Sequence, residues 1–325
     1  MLSRVANSIY WLCRYIERAE NVARILHVNW HLSLGDQRTA QEQWQPLVNI
    51  TADTALFEAK YGNATKENVI QFMVSDSEYP NSIISCLEAA RENARSIREI
   101  IPEEMWEQVN TFYYMVRDAA VSSRPNADLN EFLTGIRKRS NEFVGLALTT
   151  MTHDEGWHFC RLGRMLERAD QTSRILDVKF FYLLPNPKDV GGPMDSIQWL
   201  ALLQSASALQ AYRRQQGSMS YEKVVGFLLL DSQFPRAVRY CTDRVLDSVH
   251  CVTGTPKGAF TNTVERECGK LCADLAYAQA NEIIAQGLHD YIDNLQKRFI
   301  RCGEAIHEAF FATRLVGNGT VSLPQ

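Results

Sequence analysis

Fifteen residues near the start of the chain recur half a chain later, and that recurrence limits the fold more than any other feature. Residues 14–28, Arg-Tyr-Ile-Glu-Arg-Ala-Glu-Asn-Val-Ala-Arg-Ile-Leu-His-Val, align with 164–178 at an offset of 150. Eight of the 15 positions are identical: Arg14/Arg164, Glu17/Glu167, Arg18/Arg168, Ala19/Ala169, Arg24/Arg174, Ile25/Ile175, Leu26/Leu176 and Val28/Val178. Unrelated segments of ordinary composition would share about one. The correspondence resumes at an offset of 155 with Trp44/Trp199, Glu67/Glu222, Val69/Val224, Phe72/Phe227, Asp76/Asp231, Ser77/Ser232, Pro80/Pro235 and Cys86/Cys241. The five-residue step falls where Pro185-Asn186-Pro187 to Gly191-Gly192-Pro193 lengthens a connection, and insertions belong in loops. The chain therefore reads as two copies of one unit, residues 1–150 and 151–315, with a flexible tail over 316–325.

The unit is helical. Apolar groups at Leu2, Val5, Ile9, Leu12, Ile16, Ala19, Ala23, Leu26 and Trp30 alternate in steps of three and four. This spacing predicts a helix over 2–34 with a coiled-coil-like seam, about 50 Å long. A second stripe of Trp11, Ile25 and Leu32, with Arg18 in its middle, makes the helix apolar on two faces and so central. Further helices are expected over 41–60, 65–74, 80–100, 103–121, 127–152, 156–184, 194–215, 219–230, 234–250, 261–286 and 288–314. No segment sustains the alternation of a strand. The expected fold class is all-α, with two pseudo-symmetric helical-bundle repeats packed into one elongated or single compact body.

Composition closes off several functions. With 46% hydrophobic residues, 22% charged residues and a net charge of −4, the chain has no field to attract nucleic acid or an acidic membrane. The one dense basic run, Arg137-Lys138-Arg139, reads as a solvated helix face. No window approaches the roughly 20 apolar residues of a membrane span, and the N-terminus lacks the pattern of a secretory signal. The eight cysteines form no CxxC pair, and Cys268 and Cys272 lack a second ligand pair, so reduced thiols in a cytoplasm are expected.

The candidate chemistry is the duplicated charge cluster: Arg14, Glu17, Arg18 and Arg24, then Arg164, Glu167, Arg168 and Arg174. On a helix Arg14 neighbours Glu17 and Arg18, so Glu17 can pair with Arg14 along the helix. Arg18 and Arg168 are expected to be buried, beside Trp11 and Ile25 for one and Ile175 and Tyr182 for the other. Two readings stand. The cluster is a buried network pinning two central helices, or it is a set of arginines gripping a carboxylate or phosphate, with a glutamate as base or orienter. Asp76-Ser77…Pro80 and Asp231-Ser232…Pro235 are secondary candidates. They read as helix caps with proline in the first turn, or as Asp-Ser pairs facing the Glu-Arg centres. His153 and His158 are five residues apart, a poor spacing for two metal ligands on one helix face, and no metal site is expected. No phosphate-binding loop, dinucleotide turn or nucleophile elbow occurs, so no cofactor is assigned.

Met1 to Leu12 leading into Arg14-Tyr15-Ile16-Glu17-Arg18-Ala19-Glu20-Asn21 resembles the bacterial alpha-E family, named for an α-helical domain with a Glu-Arg motif. So do Asp76-Ser77…Pro80-Asn81-Ser82-Ile83, Ala90 to Arg95, and Gly156-Trp157…Gly163-Arg164-Met165-Leu166-Glu167-Arg168-Ala169. Two positions depart from the family pattern: Cys13 stands where Gly is usual, though Gly163 keeps it, and Tyr79 replaces a usual Asn. The resemblance implies a context. Relatives are encoded beside, or fused to, a circularly permuted ATP-grasp protein, often with a transglutaminase-like protein and a proteasome-related peptidase nearby. ATP-grasp enzymes join a carboxylate to an amine through an acyl phosphate. The expected function is thus a helical partner of such a ligase, as scaffold, substrate carrier or regulatory subunit, in a peptide or amide pathway. The alternative is an enzyme in its own right that uses the duplicated Glu-Arg centres.

Overall fold

The computed structural model describes residues 1–33, 39–51, 53–121, 129–183 and 193–312. The expected inserted loop around 185–193 and the tail 316–325 lie outside the described residues, apart from the start of one helix at Pro193. Among the described residues every regular element is helical. They form α1 (Ser3–Ser33), α2 (Ala40–Thr51), α3 (Thr54–Tyr61), α4 (Lys66–Ile70), α5 (Ile83–Ser96), α6 (Glu103–Val121), α7 (Leu129–Thr150) and α8 (Glu155–Leu183). The second half continues with α9 (Pro193–Ser205), α10 (Leu209–Gln216), α11 (Tyr221–Leu230), α12 (Val238–Thr253), α13 (Thr263–Tyr277), α14 (Ala280–Gln286) and α15 (Leu288–Ile306). Short π-helical turns follow α4 (Gln71–Ser75) and α15 (His307–Phe311). None of these helices is long and apolar enough to cross a membrane.

Helix α1 runs 31 residues without Gly or Pro. Its seam is buried from Val5 through Leu26, while Leu2 precedes the helix and is exposed. Several expected helices are split. The stretch 41–60 breaks between α2 and α3, where the Thr51 hydroxyl bonds the Val48 carbonyl and accepts from the Asp53 amide, drawing the backbone out of the helix. The stretch 194–215 breaks at Ser207, which adopts φ 51°, and 261–286 breaks at the extended Ala278 and Gln279. Apolar periodicity runs on across such short kinks and cannot mark them. The capping reading of the Asp-Ser-x-x-Pro segments is also corrected. Helix α5 starts at Ile83, capped by the Ser82 hydroxyl, and α12 starts at Val238. Pro80 and Pro235 therefore lie in the preceding turns.

Two long helices form the axis of the molecule. Met1 meets Glu155, Tyr10 meets Gly163, and Glu17 meets Arg168. The contacts advance together along both helices, so α1 and α8 run parallel. A parallel pair cannot be closed by a short turn, and here α2 to α7 form the crossover. Helices α5 and α7 pack on α1 with α6 behind them, while α12 and α15 pack on α8 with α13 behind. A continuous apolar cluster runs through both sets and buries the matched Trp44 and Trp199, Phe72 and Phe227, and Cys86 and Cys241.

Helices α1 and α8 approach one another closely at Gly163. A Cβ there would stand 2.2 Å from the Tyr10 carbonyl oxygen. One turn along α1, Cys13 Sγ lies 3.0 Å from Cys160 Sγ. The axis thus tolerates a side chain at Cys13 but none at Gly163. Gly163→Ala is expected to destabilise the protein by about 3 kcal/mol, the scale of a severe overpacking error. Gly145→Ala, where a Cβ meets nothing within 4 Å, should stabilise by about 0.5–1 kcal/mol. Urea denaturation of the two variants measures both.

Candidate functional site

The two Glu-Arg pairs exchange partners across the α1–α8 axis. Arg18 Nε and Nη2 donate to the Glu167 carboxylate at 2.7 and 3.0 Å. Arg168 Nε and Nη2 donate to Glu17 at 2.8 and 2.7 Å. Both contacts are two-point guanidinium–carboxylate forks, the strongest form of this interaction. The pairing expected along the helix, Arg14 with Glu17, does not form. Arg14 Nε instead donates to Glu167 Oε2 at 2.9 Å. Helical spacing permits both arrangements, but Glu167 is fully buried and one guanidinium alone leaves acceptor sites unfilled. Arg18 and Arg168 are largely buried, with 18% and 11% of their side chains exposed. The side chain of Tyr182 lies outside the described residues.

The Glu17 centre is closed. Arg236 Nη1 reaches Glu17 and Asn21, each at 3.2 Å, and its Nη2 reaches Glu20 at 2.6 Å. Glu20 also takes Arg24 Nε at 2.7 Å and the Ser140 hydroxyl at 2.8 Å. Arg24 continues to the Ser205 carbonyl and the Ser207 hydroxyl. All five charged groups of this centre except Arg168 are at most 8% exposed. Arg164, the counterpart of Arg14, is buried nearby, and its Nε has no hydrogen-bond partner among the described residues.

The Glu167 centre is open. Arg14, Arg18 and Arg174 line a cleft of about 600 Å³ together with Asp170, Gln171 and Asn81. Tyr10, Trp11, Tyr79, Phe299 and Phe311 supply an aromatic wall, and Glu304, His307 and Glu308 stand at the side formed by α15 and its terminal turn. Arg18 Nη1 donates to Asn81 Oδ1 at 2.7 Å. Arg14 Nη1 donates to the Tyr10 hydroxyl at 3.2 Å. Arg174 pairs with Asp170 at 2.8 Å and reaches the Ile50 carbonyl. Arg18 has thus committed three of its five N–H groups. The others have no hydrogen-bond partner among the described residues.

The electrostatics follow from burial against pairing. Burial alone would raise the Glu167 carboxyl, but the Arg18 and Arg14 guanidinium groups outweigh it and bring it down to about 2. The same contest leaves Glu17 well below the usual carboxylate range, through Arg168 and Arg236. Burial brings Arg236 down to about 10, against the opposing pull of Glu20, so it stays a cation at neutral pH.

The secondary candidates lie elsewhere. Asp76 accepts from Lys60 Nζ and the Tyr61 hydroxyl, each at 2.9 Å, and Ser77 is exposed. Asp231 accepts from the amides of Gln233 and Phe234, and Ser232 is exposed. These residues build turns and do not face the Glu-Arg centres. Their service is indirect, because the turns deliver Asn81 to one centre and Arg236 to the other. The repeat reading passed over both residues. They directly follow the matched Pro80 and Pro235, but they differ from each other, and a search for identity skips a difference. His153 stacks on Trp157 at 4.1 Å, and His158 Nδ1 faces the Ser248 hydroxyl.

Two outcomes test this geometry. A double-mutant cycle on thermal unfolding should couple Arg18 with Glu167 by about 1–3 kcal/mol, and Arg14 with Glu17 by less than about 0.5. Acid unfolding gives the second. Because the native Glu167 pKa is depressed, its contribution is full above about pH 4.5 and is lost as pH falls towards 2. Glu167→Gln should therefore flatten the acid limb of the stability profile. An unchanged limb would show that the carboxylate is not held by the arginines.

The geometry agrees with what the chain is similar to. Uncharacterized proteins of Mycobacterium bovis and of two Mycobacterium tuberculosis strains are each 24% identical to it, over 74% of this chain and 29% of theirs. The chain thus spans less than a third of the length of these relatives. No solved structure matches. The model of the Alpha-E family, described as a predicted alpha-helical domain with a conserved ER motif, matches residues 1–311 and so takes in both crossed pairs, and the chain belongs to that family.

Proposed function

We propose that this protein is the ligand-holding helical partner of an ATP-grasp-type ligase, in a cytoplasmic bacterial pathway that makes or modifies peptides or amides. A circularly permuted ATP-grasp protein is its principal partner in this reading, and a transglutaminase-like protein is a further one. One observation carries the proposal. Of two Glu-Arg centres built from matched residues, the Glu17 centre is sealed by Arg236, while the Glu167 centre presents Arg14 and Arg18 to a cleft. Paired arginines with uncommitted N–H groups suit a carboxylate or an acyl phosphate. The ligase would supply ATP chemistry, and this bundle a shaped surface and cations.

We read residues 1–150 and 151–315 as two copies of one helical unit that have since diverged. The reciprocal Glu-Arg exchange supports this. So do the bonds of Cys86 Sγ to the Pro80 carbonyl and of Cys241 Sγ to the Pro235 carbonyl. On this reading one centre has become a structural pin and the other holds a ligand. Holding is favoured over independent catalysis by the charge states. A general base or acid works best with a pKa near the operating pH, whereas Glu167 lies near 2 and Glu17 is well below the usual range.

The isolated chain should hydrolyse no ATP, and adding it to the ligase should raise ADP release by the ligase. Arg18→Lys keeps a cation beside Glu167 but loses the fork. It should melt within a few degrees of the wild type and support the ligase poorly. ATP turnover by the isolated chain, or full support by Arg18→Lys, would overturn the proposal.

A further inference from the structure

Arg236 shows what the walls of such a centre bind. In the closed centre its guanidinium is held by three residues of α1: Glu17, Glu20 and Asn21. At the offset of 150, their counterparts on α8 are Glu167, Asp170 and Gln171. Glu167 lies directly behind the cleft, and the other two line it. Asn81, which corresponds to Arg236 in sequence, is too short to reach them and bonds Arg18 instead. Glu20 takes two guanidinium groups, those of Arg24 and Arg236. Asp170 takes one, from Arg174, through Oδ2. Gln171 spends its amide nitrogen on Glu167 Oε1 at 3.2 Å, as Asn21 does on Glu17. In Asn21 the amide oxygen receives Arg236. The matching oxygen of Gln171 has no such donor among the described residues.

Charge balance points the same way. Arg14, Arg18 and Arg174 stand against Glu167, Asp170, Glu304 and Glu308 in and directly behind the wall. A dianion would enter against two carboxylates on the α15 side, which are exposed and carry no counterion among the described residues. A ligand that carries both a carboxylate and a cationic group meets a complementary surface.

We infer that the cleft binds a zwitterion. Its carboxylate lies on Arg14 and Arg18. Its cationic group, a guanidinium or primary ammonium, lies against Asp170 and the Gln171 amide oxygen, as the chain's own Arg236 does in the closed centre. This rests on the ligand-holding reading above and deepens it by naming the ligand class: a basic amino acid, or a peptide end that carries one. Asn81 is the residue that keeps this centre open, and an arginine in its place acts as an internal ligand.

The test titrates the full chain, by calorimetry and by melting temperature, with three probes at millimolar concentration. L-Arginine carries a carboxylate and two cationic groups, agmatine only two cationic groups, and glutarate only two carboxylates. L-Arginine and agmatine are expected to bind. Asp170→Asn should weaken both by about tenfold or more, the scale of one hydrogen bond to a charged group. Asn81→Arg should abolish both while its melting temperature stays at or above the wild-type value, because the new guanidinium finds the same partners as Arg236. Glutarate binding without agmatine binding would overturn the cationic subsite and leave the ligand-holding function standing. No binding by any probe would overturn the zwitterion proposal, and the ligase assay with Arg18→Lys then decides the broader reading separately. Unchanged agmatine binding by Asn81→Arg would place that cation elsewhere and overturn the proposal as well.

Discussion

The exchange of carboxylates between α1 and α8 is the constraint from which the rest of the molecule follows. Glu17 and Glu167 are fully buried, and each needs a cation from the opposite helix. A buried charge left unpaired costs several kcal/mol. The two forks therefore admit one register. Sliding either helix by a residue rotates the charged stripe by about 100° and breaks both forks at once. Apolar contacts along the seam are less exacting, because leucine, isoleucine and alanine faces can slip past one another with modest loss. Gly163 completes the constraint by letting the backbones meet where the forks require it. Neither device works without the other: the forks set the register and the glycine sets the distance.

Once the axis is set, the layers around it differ in what they contribute. The turns before α5 and α12 are alike in sequence and in their cysteine-to-proline bonds. The residue each one presents decides the fate of its centre. A guanidinium from Arg236 completes a desolvated network of alternating charge, and such networks hold geometry when every member is satisfied. An amide from Asn81 satisfies one N–H of Arg18 and leaves the neighbouring surface open to solvent. A single side chain thus separates a closed centre from an open one.

What was legible in the sequence was whatever depends on repetition and periodicity. The α1 seam from Val5 to Leu26 and the lengths of α6, α7 and α8 could be read because apolar spacing reports burial directly. Breaks at Thr51, Ser207 and Ala278 could not, since hydroxyl competition and local backbone torsions leave the apolar spacing intact. The importance of Arg14, Glu17, Arg18 and their counterparts was visible, but their partners were not. Spacing along one helix says which side chains are neighbours on that helix, and nothing about a second helix lying parallel to it. The roles of Asn81 and Arg236 at the two centres were hidden for the opposite reason. A search for recurrence follows positions where two segments of the sequence agree, while the difference in chemistry sits where they disagree. The correspondence of Glu20 with Asp170, one methylene apart, went unread for the same cause.

The parallel axis also has a consequence for the order of events on the ribosome. Glu17 and Arg18 leave the exit tunnel about 150 residues ahead of Arg168 and Glu167. At elongation rates of about 5–20 residues per second that is a delay of roughly 8–30 s. During this interval the nascent α1 holds a carboxylate and two guanidinium groups on a surface that its own first-half helices would bury without counterions. Water must remain around that stripe until α8 arrives, so α1 cannot finish packing early. Docking of the two long helices dehydrates both forks together, and Arg236, which is made later still, then closes the Glu17 centre. A chain arrested before α8 would expose a charged furrow flanked by apolar seam, a form that chaperones and proteases can distinguish from the finished protein.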